Sequence, residues 1–368
     1  MTIAIIGSRG YPYVYSGYET FVKELAERLV QHGVRVRVYC HKNLFVDRPK
    51  TLNGVELVYI PTIETKSLSQ LVHSFFSMLH ACTHRNDVIL AVNAANGPWG
   101  IIAKFFGVRT CINVDGLEWL RPKWKGFGAR YFRFAAWLAT KWYNRIITDA
   151  DAMRDVYLKE FNKDSTVIAY GATVRYSRQP NLIEQFGLKS RDYYLIVGRL
   201  IPDNNADLLV EGFLAADSGK KLVIVGDVPY RDAYAQAIKS NASADILFLG
   251  YVTDSDVLAE LYHNCFVYLH GHEFGGTNPT MLKAMAYGTA ILALDTPFNR
   301  EMLQNGKFGP FFSKEKSSVA EKMREMEQQA DVVEHLRENS RNGLTEKYNW
   351  DHITISYLAL FNELVALK

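Results

Sequence analysis

Residues 271–301, GHEFGGTNPTMLKAMAYGTAILALDTPFNRE, constrain the fold more than any other stretch of the chain. A strand-like apolar run, 265–269, leads into them. Gly275-Gly276 and a cap-like Thr277-Asn278-Pro279 follow, and Met281, Leu282, Ala284, Met285 and Ala286 begin a helix. Gly288 stops that helix, and a second strand over 290–294 ends at Asp295. Strand, glycine loop, helix start and strand make the crossover of a parallel sheet. The unpaired N–H groups and positive dipole end of the helix both face the loop. A plain scaffold crossover needs no polar cluster there, yet His272, Glu273, Thr277 and Asn278 stand in front of the apolar helix. The stretch therefore reads as a phosphate-handling site.

The same alternation runs through the rest of the chain. Residues 2–6 form a strand, Gly7-Ser8-Arg9-Gly10 follows, and the loop continues through Tyr11 and Pro12 to Ser16-Gly17. A helix over 18–31 with Phe21, Leu25, Leu29 and Val30 on one face leads to a strand at 34–39. So long a first loop implies a bound ligand. A nicotinamide cofactor is excluded, because residues 7–12 read GSRGYP rather than GxGxxG and the second strand ends in Tyr39-Cys40-His41-Lys42 without a carboxylate for a ribose diol. Strands at 55–60, 87–92, 108–114, 145–148 and 166–172 and a helix at 67–85 continue the pattern. Several strand ends carry Asn, Asp or Gly, among them Asn93, Asn96, Asp115 and Asp149, which marks the carboxyl edge of the sheet as functional. Polar sequence from 173 to about 193 is a domain junction. The alternation then restarts, with strands at 193–197, 222–225 and 246–249 and helices at 206–215, 233–239 and 257–262. Charged helical sequence over 313–348 forms an outer layer, and 350–367 is an apolar-periodic helix.

A chain of 368 residues supports two such domains, 1–172 and 173–349, with the last helix, 350–368, packing back on the first. Net charge of +3 does not imply nucleic acid. The cysteines Cys40, Cys82, Cys111 and Cys265 are far apart, lack metal-ligand spacing and read as reduced thiols of a cytoplasmic protein. The start MTIAIIGSRG is a strand and a turn rather than a signal peptide, and no run of 18 apolar residues is present.

The sharpest charge feature lies between Trp119 and Thr148. Arg121, Lys123, Lys125, Arg130, Arg133, Lys141 and Arg145 occur there without one acidic residue, interleaved with Trp119, Trp124, Tyr131, Phe132, Phe134, Trp137 and Trp142. At helical spacing Arg130, Arg133, Trp137, Lys141 and Arg145 share a stripe. Basic side chains among indole rings suit an anionic membrane surface, whereas a solvated basic face would keep its aromatic residues inward.

Arg199 sits just after a strand, where a guanidinium can clamp a diphosphate. At this point several segments together carry a resemblance: GSRGYPYVYSGYETFVKELA at 7–26, NVDGLEWLRPKW at 113–124, VIAYGA at 167–172, VGRLIPDNN at 197–205, FLGYV at 248–252, and GHEFGGTNP with FNRE within 271–301. In this order and over nearly the whole chain, the sequence resembles the retaining family 4 glycosyltransferases of the GT-B fold. It looks closest to bacterial cell-surface polysaccharide rhamnosyltransferases. The resemblance implies an α/β chain of two Rossmann-like, doubly wound domains facing across a cleft. It implies a dTDP- or UDP-linked sugar donor on the C-terminal domain and a lipid-linked sugar acceptor on the N-terminal one. The enzyme would lie on the inner face of the cell membrane, with no metal, no cofactor and no nucleic-acid partner.

Carried over residue by residue, the resemblance gives Arg199 the diphosphate and lets Gly17 admit the donor phosphate. Tyr251 and Val252 flank the base. His272 and Glu273 face the transferred sugar, Gly275, Gly276, Thr277 and Asn278 line sugar and phosphate, and Asp115 meets the sugar. Glu118 touches the acceptor, with Arg121, Lys123, Trp124, Arg130, Arg133 and Lys141 toward acceptor and membrane. Three positions depart from the pattern: Lys283 replaces a glutamate that holds the nucleotide ribose in relatives, Asn204 stands near where many carry a lysine, and Ser16-Gly17 stands in place of the N-terminal glycine pair. Lys283 then becomes a candidate donor ligand in its own right. Two alternatives share the architecture: a catalytically silent nucleotide-sugar-binding subunit, and a nucleotide-sugar epimerase.

Overall fold

The computed structural model describes residues 1–12, 17–63, 69–122, 126–228 and 231–366. The chain divides into two compact units, Met1–Gly171 with Lys347–Lys368, and Ala172–Glu346.

The first unit begins with β1 (Thr2–Ile6), α1 (Gly17–Gln31), β2 (Arg35–His41), β3 (Thr51–Leu52), β4 (Val55–Ile60), α2 (Ser69–Thr83) and β5 (Val88–Val92). It continues through α3 (Gly100–Phe106), β6 (Arg109–Asn113), α4 (Phe127–Trp142), β7 (Arg145–Thr148), α5 (Asp151–Phe161) and β8 (Thr166–Val167). The strands form one eight-stranded sheet in the order β3-β4-β2-β1-β5-β6-β7-β8, parallel apart from the β3–β4 pair. Central β5 reads VILAV and is buried at every position, as a strand covered on both faces must be. Helix α1 packs Phe21, Val22, Leu25, Ala26 and Leu29 inward, which is the stripe its 3.6-residue period sets up.

The second unit holds β9 (Tyr193–Val197), α6 (Ala206–Ala216), β10 (Lys221–Val225), α7 (Ala233–Lys239), β11 (Ile246–Gly250), α8 (Ser255–Asn264) and β12 (Val267–His270). Then come α9 (Pro279–Ala286), β13 (Ile291–Leu294), α10 (Pro297–Met302), β14 (Phe311–Phe312), α11 (Lys316–Gln328) and α12 (Ala330–Ser340). Its six parallel strands run β11-β10-β9-β12-β13-β14. The last helix, α13 (Trp350–Ala366), belongs to the first unit. There Tyr357 packs 5.6 Å from the Phe21 ring and its hydroxyl accepts from Asn113 Nδ2 at 3.0 Å.

The expected strand 166–172 is shorter than its sequence suggests. Ile168 N still donates to Thr148 O at 2.8 Å, but Tyr170 turns its hydroxyl toward Asn113 and Asp115, and Gly171 lies against the Trp350 indole. The segment leaves the sheet because its side chains are used elsewhere. Arg145 is also not on the expected basic helix stripe. It lies in β7 and pairs with Glu363 of α13.

Candidate active site

In the second unit the chain steps from β9 to β10 to β11 on one side, then returns to β12 beside β9 and continues the other way. Loops diverge at such a reversal, and the carboxyl ends of β9 and β12 frame a ligand position. Here the two loops are tied together. Asn204 Oδ1 is 2.7 Å from His272 Nδ1, and Asn204 Nδ2 donates to Arg199 O at 2.8 Å. Asn205 Nδ2 donates to Gly271 O at 2.8 Å, and Glu273 N to Asp203 O at 3.1 Å. The backbones touch: a Cβ on Gly271 would stand 2.4 Å from Asn204 O, so only glycine fits. Asn299 of α10 completes the brace by donating to His272 O at 3.1 Å and Leu294 O at 2.8 Å.

Helix α9 starts behind this loop. Asn278 caps it, its Oδ1 accepting from Thr280 N at 2.9 Å and Thr280 Oγ1 at 2.7 Å. Tyr268 Oη donates to Thr280 Oγ1 at 2.9 Å and lies 3.0 Å from His270 Nδ1. Each hydroxyl has one proton, so the chain runs one way: His270 Nδ1–H to Tyr268, Tyr268 to Thr280, Thr280 to Asn278. Burial pushes the His270 pKa down to about 3, so the ring is neutral, and the direction of the chain puts its one proton on Nδ1. Tyr268, His270, Thr280, Asp203 and Asn205 escaped the sequence reading. The signal was available for the first two, since residues two apart on a strand share a face.

The remaining expected residues differ in setting. Arg199 is exposed, and Tyr251 is 57% exposed while its hydroxyl donates to Asp227 O at 3.0 Å. Val252 is half-buried and Thr277 buried. Gly275 has φ +127°, and Gly276 follows it in the same turn. Glu273 is held by Lys314 at 2.5 Å and Asn205 at 3.3 Å, which fixes its carboxylate. Lys283, on the second turn of α9, is half-buried with no hydrogen-bond or ion-pair partner for its ammonium among the described residues. Burial lowers its pKa below the usual lysine range. A desolvated cation without a counter-charge favours an anion beside it.

In the first unit the order reverses between β1 and β5. Asp115, just past β6, accepts from Tyr170 Oη at 3.1 Å, and its carbonyl accepts from Tyr18 Oη at 3.0 Å. Burial raises its pKa to about 6, against the opposing pull of Arg121. Gly17 opens α1 immediately before Tyr18. Glu118 and Arg121 pair at 3.1 Å beside this carboxylate. Arg121 is buried, so it braces the Asp115 loop and is not a membrane cation as the sequence suggested. Trp119 is likewise buried, edge-on to Tyr157 and Phe161. Arg130, Arg133 and Lys141 are exposed on α4, Arg133 pairing with Glu160 and Lys141 lying 5.9 Å over the Trp137 ring. Lys123 and Trp124 lie outside the described residues, as does Ser16.

Two family models match the chain. Residues 15–174 match Glycosyltransferase Family 4, and residues 178–343 match Glycosyl transferases group 1. No curated protein matches by sequence. Among solved structures, sucrose-phosphate synthase (tll1590) from Thermosynechococcus elongatus is similar with a TM-score of 0.82 at 16% identity, covering 100% of both chains. Anabaena Alr3699/HepE in complex with UDP has a TM-score of 0.78 at 14% identity, covering 98% of this chain and 99% of its own. A glycosyltransferase from Rickettsia africae ESF-5 has a TM-score of 0.76 at 13% identity, covering 100% of this chain and 99% of its own. The two parallel α/β sheets are those of the GT-B fold.

Proposed function

The chain belongs to the group 1, family 4 glycosyltransferases, retaining and metal-independent enzymes that use nucleotide-sugar donors, and from that premise we propose that it transfers L-rhamnose from dTDP-rhamnose to a lipid-linked sugar. The acceptor lies at the inner face of the cell membrane, where the product enters cell-surface polysaccharide. The observation that carries the donor site is the brace between the loops after β9 and β12, which fixes the backbone at Arg199 and Gly271 and the His272 ring before any ligand arrives. Preorganised donors of this kind lower the cost of charge developing on a leaving group.

In this reading Arg199 and Lys283 hold the diphosphate, while Gly275, Gly276, Thr277 and the first N–H groups of α9 line sugar and phosphate. Gly17 keeps the phosphate role that the family resemblance gives it, and Asn204 orients His272. Tyr251 and Val252 flank the base. His272, Glu273 and Asp115 accept from hydroxyls of the sugar, and Glu118 faces the acceptor. The bond from the anomeric carbon to the diphosphate breaks while a bond to the acceptor oxygen forms on the same face. The acceptor proton passes to the departing diphosphate oxygen, so no base on the protein is required. Anabaena HepE is described with UDP and UDP-glucose, which supports a pyrimidine nucleotide here too. Contact with the membrane falls to the exposed residues of α4.

A thermal-shift series with dTDP, UDP and GDP tests the donor. A ligand at about 100 times its Kd stabilises by about 2.7 kcal/mol. The reading expects dTDP to give the largest shift. A shift with GDP alone, or with none of the three, sinks it.

A further inference from the structure

The first unit carries a feature that donor chemistry does not use. Between α2 and α4 lies a groove of about 950 Å³, walled by Val72, Phe75 and Phe76 on one side and Phe127 and Phe134 on the other, with Trp99 also lining it. Arg130 is the one charged side chain among the described residues that line it. Its rim faces water at a cost, since Phe127 is 84% exposed and Phe134 54%. The apolar surface reaches Trp137 on α4, whose ring stacks on Phe134 at 5.8 Å, and on α3 Phe105 is 86% exposed.

Charge narrows the choice of occupant. Helices α2, α3 and α4 contain no Asp or Glu, while Lys104, Arg130, Arg133 and Lys141 lie on α3 and α4. Arg133 is answered by Glu160, but Lys104, Arg130 and Lys141 have no ion-pair partner among the described residues. A second copy of the chain would bring cations against cations across a two-fold axis. An apolar slot with cations around it matches a hydrocarbon chain joined to an anionic head. A flat apolar face would be enough to rest on a bilayer. A groove that size falls within the range that encloses a single molecule.

We propose that this groove takes one hydrocarbon chain of a phosphate-headed lipid, with Arg130 at the phosphate. The inference rests on the lipid-linked acceptor of the proposed function and states where the chain of that acceptor goes. Bulk bilayer contact is a separate event on the outer faces of α3 and α4.

The test is calorimetric titration of the full chain with farnesyl monophosphate, with inorganic phosphate as the headgroup control, on wild type and on Val72→Trp. Val72 is half-buried on the groove wall, so an indole there fills the slot, and an unchanged Tm and circular dichroism spectrum certify the fold. Wild type is expected to bind farnesyl monophosphate at least tenfold more tightly than inorganic phosphate. Val72→Trp removes that preference and leaves binding to phosphatidylglycerol vesicles within twofold. Four results overturn the proposal: no preference in wild type, an undiminished preference in Val72→Trp, equal loss of vesicle binding, or a dimer in light scattering that Val72→Trp dissociates. A chain that binds farnesyl monophosphate but transfers no sugar would defeat the functional reading and leave the groove standing. Transfer to a lipid-linked acceptor with no farnesyl monophosphate binding would do the reverse.

Discussion

Helices α11 and α12 of the second unit face water with both signs of charge, Glu321, Lys322, Arg324 and Glu325 on one and Asp331, Glu334 and Glu338 on the other, and turn Val319, Met323 and Met326 inward. Helices α2, α3 and α4 of the first unit face it with phenylalanine and unanswered cations. Both layers cover the same kind of parallel sheet, so the fold does not require the difference. The carboxyl edges differ as well. The second unit fixes its edge with neutral amides, Asn204, Asn205 and Asn299. The first gathers Asp115, Glu118 and Arg121 in a poorly solvated cluster. In the proposed function the second unit holds a soluble donor still. The other stores unfavourable electrostatics and unfavourable exposure, which is what a surface awaiting partners looks like.

The largest expected effect strikes the first edge. Asp115→Asn should lower transfer about 10²–10³-fold, the loss typical of removing one preorganised polar group. The same substitution should raise stability near neutral pH. The folded carboxyl has a pKa of about 6, above its unfolded value of 3.8, so its proton binding favours the fold below about pH 4 and that contribution is lost as pH rises through 6. Removing the charge recovers it, and about 1 kcal/mol would move Tm by about 2–4 °C. Melting curves at pH 7.5 and pH 4 decide the matter, with a gain expected only at the higher pH. Wild-type turnover should fall as pH drops through about 6 and the carboxylate protonates.

At the second edge Arg199→Ala should weaken dTDP by about 10–100-fold, from hydrogen bonds to a charged group of about 1.5–3 kcal/mol. Tm without ligand should not move, because the side chain is exposed and the brace uses only its carbonyl. A lowered Tm would mean that the amide lacing depends on the guanidinium, and the contrast between the edges would weaken. On the outer layers the effect is smaller. Lys141→Ala should reduce binding to phosphatidylglycerol vesicles about fivefold, from about 1 kcal/mol per basic residue near an anionic surface. Lys322→Ala on α11 is the control, and a comparable loss there would erase the distinction between the two layers.

Much of the second edge was legible in the sequence because its signals are local. Glycines, an Asn-Pro cap and a change of period from 2 to 3.6 lie within 271–301, and helix α9 and strand β13 follow them closely. Arg145 continues the period of α4 past Tyr143, but it also opens the strand expected at 145–148, and the strand prevails. Arg121 misled because charge alone does not tell a surface cation from one buried three residues after its carboxylate. The groove was invisible: Val72, Trp99 and Phe134 come from three separate segments, and no periodicity announces that their free faces meet. The setting of Asp115 was hidden for the same reason, since Tyr18 and Tyr170 reach it from opposite ends of the first unit.

The smallest prediction separates a donor ligand from a structural one. Asn278 was a donor-binding candidate, yet its Oδ1 already accepts from Thr280 N and Thr280 Oγ1 and closes the chain that starts at His270. An acceptor so occupied has little left for a sugar hydroxyl, although its amide N–H groups stay available. If capping dominates, Asn278→Ala costs about 1 kcal/mol and lowers Tm by a few degrees. Asn278→Ser keeps a cap and should restore most of that loss. Both should leave dTDP affinity within about twofold, because the nucleotide depends on Arg199 and the backbone of the loop. A tenfold loss of dTDP affinity in Asn278→Ser at normal Tm would return Asn278 to the donor site. The neutral amides of the second edge would then be ligands as well as braces.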